Sequence, residues 1–373
     1  MRPWFRLPLP AEDFLGRYWQ KEPLVMRAAA GGLDHPDPDL LASLALDEEV
    51  ESRLITGGKT AEWRLRHGPF DEDSFRALPQ RDWTLLVQSV DHYLTEVSLL
   101  LDSFAFLPAW RLEDIMISYA AAGGGVGPHF DRYDVFLIQA RGRRHWQLGP
   151  VCDEHTRLRS HPDLSLLEEM PVEEEFELGP GDVLYLPPGV AHHGVAADSD
   201  CVTWSVGLRA PAARDLLAAM AAEVLEEGPE TPLADRDRAP ARDPGVLADE
   251  DYRRIRDTVA PLLDSPAARR GLARVCSTPR QYALDFAVDN RQIRAAVPDA
   301  SLVRHGGARM LLDDDRAWIN GQDWPLRPGQ RALAARLAGS RVYTREALRP
   351  LLNTDARELL DEWIEEGFFA PLE

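Results

Sequence analysis

The stretch from Gly123 to His192 constrains this chain more than any other. It opens with Gly123-Gly124-Gly125-Val126-Gly127-Pro128-His129-Phe130-Asp131. It closes with Gly181-Asp182-Val183-Leu184-Tyr185-Leu186-Pro187-Pro188-Gly189-Val190-Ala191-His192. Residues two apart on a strand share a face, so His129 and Asp131 can aim at one point. His192, arriving on a second strand, completes a set of two imidazoles and one carboxylate. Such a set leaves positions of a metal open on one side, the arrangement of non-heme Fe(II) oxygenases. An H-x-D triplet alone is common by chance. Paired with Gly-Asp-x4-Pro-x-Gly-x2-His across a strand-rich interval, it is specific. The competing readings are two satisfied core histidines, or a Zn2+ or Mn2+ site with hydrolytic or isomerase chemistry.

Both framed segments resemble the two cupin motifs, which implies a small double-stranded β-barrel. Metal cupins with four protein ligands carry a Glu a few residues past the first pair. Here residues 133–136 read Tyr-Asp-Val-Phe, with no Glu. Without a fourth ligand there is room for a bidentate co-substrate and for O2.

The chain has 373 residues, enough for two or three domains. It holds no run of about 18 apolar residues, so no membrane span is expected. Residues 1–7 lack the apolar core of a signal peptide. Three cysteines make a disulfide framework improbable and fit a reducing cytoplasm. The net charge of −20 and a pI near 4.9 disfavour nucleic acid and favour basic partners, although acidity also serves solubility.

Residues 1–95 read as a mixed segment packing on the barrel. Residues 11–19 form a short amphipathic helix, 20–27 lead into a strand, and 82–90 form a strand or a buried helix start. Residues 96–210 form the barrel. Residues 211–279 are helical, with amphipathic spacing over 212–225 and 251–263 and a Pro-, Asp- and Arg-rich loop between. These two helices pack either on their own barrel or across a homodimer interface. Residues 280–373 read as a winged-helix-like domain. Asn320-Gly321 is its hairpin turn, Asp355 and Glu358 have capping-box spacing, and Gly367 stops the last helix. The fold class is therefore α+β.

Taken together, Tyr18 to Val25, His67 to Phe70, Gly123 to Trp146 and Pro187 to His192 resemble the cupin-type JmjC ribosomal oxygenases. The most specific part is Gly-Gly-Gly-Val-Gly-Pro-His-x-Asp-x-Tyr-Asp-Val-Phe. The resemblance implies Fe(II) held by His129, Asp131 and His192, with 2-oxoglutarate and O2 as co-substrates. It implies hydroxylation of an arginine side chain on large-subunit ribosomal protein sixteen. It further implies a homodimer built by the helical segment, and a C-terminal winged-helix-like domain.

The residues agree with that chemistry. The far carboxylate of 2-oxoglutarate needs a buried cation, and a guanidinium pairs with a carboxylate in two-pronged fashion. Arg141, Arg143 and Arg144 crowd one strand; the family match selects Arg144, and alternation turns Arg143 to the other face. Ser118, on the strand entering the glycine run, can donate to the same carboxylate. Tyr133 and Asp134 are placed to offer a substrate arginine an aromatic wall and a carboxylate.

Two competitors stand beside this reading. One is the same chemistry on another protein side chain or a small molecule. The other is a nucleic-acid-binding regulator with a cupin sensor domain, supported by six arginines and one acid over residues 327–349. The acidic residues 361, 362, 365 and 366 are available to neutralise those arginines.

Overall fold

The computed structural model describes residues 4–372 apart from 32–35, 59–61, 231, 235, 237, 281–287 and 289. Its first two-thirds are built from eleven strands: β1 (Leu24–Met26), β2 (Ser52–Thr56), β3 (Arg64–His67), β4 (Trp83–Val87), β5 (Leu112–Ala120), β6 (Val135–Arg141), β7 (Arg144–Val151), β8 (Glu174–Leu178), β9 (Val183–Leu186), β10 (Val190–Ala196) and β11 (Cys201–Leu208). One antiparallel sheet runs β1-β9-β6-β11-β5-β4-β2-β3, and a second runs β10-β7-β8. Together they form the expected double-stranded β-helix.

Alternation explains how the large sheet is used. Ile115 and Ile117 of β5, Val202, Trp204 and Val206 of β11, and Phe136 and Ile138 of β6 share one face. That face is covered by Phe5, by Phe14 of the helix Ala11–Arg17 and by Phe104. The other face turns Leu137 and Leu184 into the barrel interior, against Trp146 and Leu148 of β7. Ser118 and Thr203 are register partners on this inner side of β5 and β11. The turn Arg141-Gly142 uses a positive φ of 63° and sends the chain back as β7.

After the barrel come three helices, Ala213–Glu227, Asp249–Val259 and Pro266–Ser277. The sequence reading expects the first two and passes over the third, yet the third supplies the packing partner of the first. Gly271 of Pro266–Ser277 lies so close to the Ala219 carbonyl that a β-carbon there would sit 2.3 Å from its oxygen. The first helix therefore needs neither the barrel nor a second copy to bury one of its sides.

The C-terminal domain holds β12 (Ala300–Arg304), β13 (Met310–Leu312), β14 (Arg316–Ile319), β15 (Gln322–Pro325), β16 (Val342–Thr344) and β17 (Phe369–Pro371). The sheets β16-β12-β17 and β13-β14-β15 pack with the helices Arg331–Ala338 and Thr354–Glu365 around Leu333, Leu337, Leu359, Trp363 and Phe368. Asn320 and Gly321 take positive φ values of 50° and 81° and close the β14–β15 hairpin as their chemistry predicts. Gly367 likewise ends the last helix at φ 79°.

Two local expectations are corrected. The cap of the last helix is Asn353, whose side chain accepts from the Ala356 N–H at 2.9 Å. Asp355 and Glu358 instead hold the Arg327 guanidinium, at 3.2 and 2.8 Å. Arg327 is thus paired near the start of that helix, ahead of the acidic residues 361, 362, 365 and 366.

Candidate metal centre

Two glycines and one backbone pairing build the centre. The His129 N–H donates to the His192 carbonyl at 3.1 Å, and the His192 N–H returns to the His129 carbonyl at 2.8 Å. Reciprocal bonds of this kind put the two side chains on one face; the imidazole centroids lie 4.2 Å apart. Gly127, at φ 83°, leaves no space for a side chain, since a β-carbon would meet Leu166 at 2.5 Å. Its carbonyl sits 2.9 Å from His129 Nδ1. Gly189, at φ 85°, donates its N–H to the Asp131 carbonyl at 2.7 Å and so ties the second segment to the first.

His192 is set in the same way, with Nδ1 2.9 Å from the Val190 carbonyl. In both histidines this bond places the proton on Nδ1 and leaves Nε2 free to ligate. Asp131 Oδ2 lies 3.9 Å from His129 Nε2 and 3.7 Å from His192 Nε2. Among the described residues, these three are the one group of His, Cys, Asp or Glu donors that converges in this way, all within 4.8 Å. Donors about 2.1 Å from one ion, at right angles, lie about 3 Å apart. The two Asp131–histidine separations are less than an ångström wider than that, within reach of small side-chain rotations. His192 is buried, and burial first, then the neighbouring His129, pushes its pKa down to about 4. It is therefore a neutral imidazole, the form a metal binds.

Arg144 lies within the barrel, 4% exposed. Its Nε donates to Thr203 Oγ1 at 3.0 Å and its Nη1 to the Gly194 carbonyl at 3.4 Å. Its Nη2 is buried with no hydrogen-bond partner, and no carboxylate pairs with Arg144 among the described residues. Burying an unpaired charge is costly, so this guanidinium is shaped for an anion. Trp146 touches both halves of the site, 6.0 Å from the His192 ring and 6.0 Å from the Arg144 guanidinium carbon. Arg143 faces the other way, where Glu177 and Asp198 hold it at 2.9 and 3.0 Å.

Ser118 is buried beside this group, its hydroxyl donating to the Thr203 carbonyl over a long 3.4 Å. Tyr133 is 42% exposed, and the Asp131 carboxylate is among the neighbours that, after burial, push its phenol pKa up. The ring is open to solvent while the hydroxyl end lies towards the metal ligands.

Asp134 corrects the expectation made for it. It is fully buried and accepts from Tyr185 at 2.6 Å, Gln20 at 2.9 Å and Arg111 at 3.1 Å. It anchors the N-terminal layer to the barrel and does not face a substrate. Thr203 is the site residue that sequence reasoning missed. It orients Arg144 and donates to Gln139 Oε1 at 3.1 Å. Only the strand register opposes it to Ser118; no local motif marks it.

Residues 99–216 match the JmjC domain model, and residues 267–370 match a ROXA-like winged helix. The chain is 36% identical to the ribosomal protein uL16 3-hydroxylase of Escherichia coli (strain K12), over 90% of this chain and 91% of that protein. It is 34% identical to a probable ribosomal oxygenase of Haemophilus influenzae, over 85% of this chain and 78% of the other. Among solved structures, the Escherichia coli ribosomal oxygenase YcfD in complex with cobalt and 2-oxoglutarate superposes with a TM-score of 0.82 at 32% identity. It covers 99% of this chain and 100% of that one.

Proposed function

The chain belongs to the JmjC-domain ribosomal oxygenases, a metal- and 2-oxoglutarate-dependent class, and from that premise we propose an Fe(II) enzyme that hydroxylates an arginine side chain of ribosomal protein uL16. His129, Asp131 and His192 would hold the metal. Bound there with 2-oxoglutarate and O2, it supplies the oxidising power for inserting oxygen into a C–H bond while 2-oxoglutarate goes to succinate and CO2.

The chain's own residues bind and orient. Arg144 takes the far carboxylate of 2-oxoglutarate through Nη1 and Nη2, with Thr203 fixing the guanidinium plane through Nε. Ser118 turns its weakly held hydroxyl to the same carboxylate. Trp146 walls the space between that carboxylate and His192 and keeps water out. At the mouth, Tyr133 offers a ring on which a cationic arginine can lie. The acidic surface draws in a basic ribosomal protein, and such a substrate places the enzyme in the cytoplasm. Among the described residues no helix is long and apolar enough to cross a membrane.

The observation that carries this reading is Arg144, a buried guanidinium with an orphaned Nη2 beside a triad of open metal donors. The test is 2-oxoglutarate consumption with Fe(II) by the intact protein, His129→Ala and Arg144→Ala, with mass spectrometry of uL16 from a deletion strain. Loss of turnover in both variants, and of one oxygen from a uL16 arginine in the strain, is expected. An arginine still oxidised in the deletion strain would overturn the assignment.

We also propose a homodimer. The helices Ala213–Glu227 and Asp249–Val259 leave Leu217, Leu225, Tyr252, Ile255 and Val259 exposed, Leu225 by 87%. The regulator reading is weakened by the arginines it depends on. Arg327 is paired, Arg336 lies over the Tyr343 ring at 5.7 Å, and Arg341 is buried.

A further inference from the structure

A second polar cavity, of ≈ 220 Å³, lies between the barrel and the C-terminal domain, remote in sequence from the metal ligands. Its walls are the segment around Asp91, the residues 101–113, the loop 306–309 and the Gly339–Arg341 turn. The two bodies meet closely here. A β-carbon on Gly306 would lie 1.7 Å from the Asp91 carbonyl oxygen, and the Gly306 N–H donates to Thr95 Oγ1 at 3.1 Å.

Three guanidiniums line this cavity, those of Arg304, Arg309 and Arg341, and each residue is at least nine-tenths buried. Arg304 Nε and Arg309 Nη1 have no hydrogen-bond partner among the described residues. Arg304 and Arg341 make no ion pair among the described residues; each gives Nη1 to a backbone carbonyl, of Leu337 and Gly306, at 3.4 Å. Three acids also line the space: Asp91, Asp102 and Glu113, whose Oε1 has no hydrogen-bond partner among the described residues. Glu113 pairs with Arg209 at 3.0 Å as well as with Arg309 at 3.4 Å. Asp102 accepts from Ser340 Oγ at 2.8 Å and the Arg341 N–H at 3.0 Å. Asp91 accepts from the Ile115 N–H at 2.7 Å.

We propose that this interdomain cavity binds a small multivalent oxyanion of the phosphate type, held by Arg304, Arg309 and Arg341. Orphaned guanidinium N–H groups are costly without an acceptor, and a tetrahedral oxyanion presents several at once. A monocarboxylate offers its two oxygens in one plane, whereas N–H groups arriving from three arginines need acceptors on several sides. The surroundings agree. Burial, and next to it the proximity of Arg304, pull Arg341 down to about 10, while burial raises Asp91 to about 7, which weakens its negative charge near neutral pH.

The experiment is calorimetric titration of the full chain with inorganic phosphate and with acetate, under saturating 2-oxoglutarate so that Arg144 is not the receptor. Saturable phosphate binding, no acetate binding, and weakening by about tenfold or more in Arg304→Gln and Arg309→Gln are expected. Equal phosphate binding in both variants, or none in the natural chain, overturns the proposal. Should the variants misfold, wild-type crystals soaked in selenate decide by anomalous scattering. A peak among the three arginines supports the site, and peaks only elsewhere sink it.

Discussion

Arg144 carries the sharpest consequence at the scale of single residues. Before its ligand arrives it is a buried cation without a carboxylate partner among the described residues, which is a cost to the fold. Replacing it with Met removes that cost and keeps most of the volume. Arg144→Met is therefore expected to melt at the same or a higher temperature than the natural chain when free of 2-oxoglutarate. It should also lose the thermal stabilisation that 2-oxoglutarate confers. Differential scanning fluorimetry with and without 2-oxoglutarate and metal reads both effects. A variant melting well below the natural chain would show that Arg144 is a structural strut. Its neighbours differ in legibility. Strand alternation alone separates Arg144 from Arg143, whereas nothing near Asp134 in the sequence announces that Tyr185, Gln20 and Arg111 bury it.

Elements raise two further tests. Gly271 sits within the helix Pro266–Ser277, where alanine is intrinsically favoured by about 1 kcal/mol. The Ala219 carbonyl of the facing helix leaves no room for the added carbon, so Gly271→Ala should lower the melting temperature despite that preference. Chemical denaturation checks the sign. The segment Val90–Tyr93 gives the second test through Asp91. Burial first, then Asp114, raises its pKa from 3.8 to about 7. Between those values the native chain holds a proton that the unfolded chain has released, so this group's contribution to stability declines as pH rises from about 4 to about 7. Asp91→Asn keeps an acceptor for the Ile115 N–H and removes the titration. The variant should exceed the natural chain at about pH 8 by at least about 1 kcal/mol, and the gap should shrink as pH falls. Urea melts across that range would show a constant gap if Asp91 did not titrate.

At the scale of the whole molecule, the exposed apolar residues of the two amphipathic helices predict the assembly. Leu225 is 87% exposed and Tyr252 61%, more than a lone chain gains by displaying. Leu225→Glu with Tyr252→Glu should convert a dimer to a monomer in light scattering, leaving metal and 2-oxoglutarate binding intact. A natural chain that is monomeric at every concentration would dismiss the dimer. Packing of Ala213–Glu227 on Pro266–Ser277 was not foreseeable from either helix, because each pattern reports an apolar side without naming what covers it.

What the amino-acid order determined by itself was short-range: spacing, alternation and glycine placement. Those rules put His129 and Asp131 on one face, separate Arg144 from Arg143, and locate the Asn320-Gly321 turn, since each depends on backbone geometry over a few bonds; His192 is marked only by its own glycine and proline frame. Only the tertiary structure decided which partners meet across long separations. Register sets Thr203 opposite Ser118, the N-terminal layer takes Asp134 out of reach, and domain docking brings Arg304, Arg309 and Arg341 to one cavity with Asp91. Desolvation and charge pairing depend on those meetings, and a linear pattern carries no record of them.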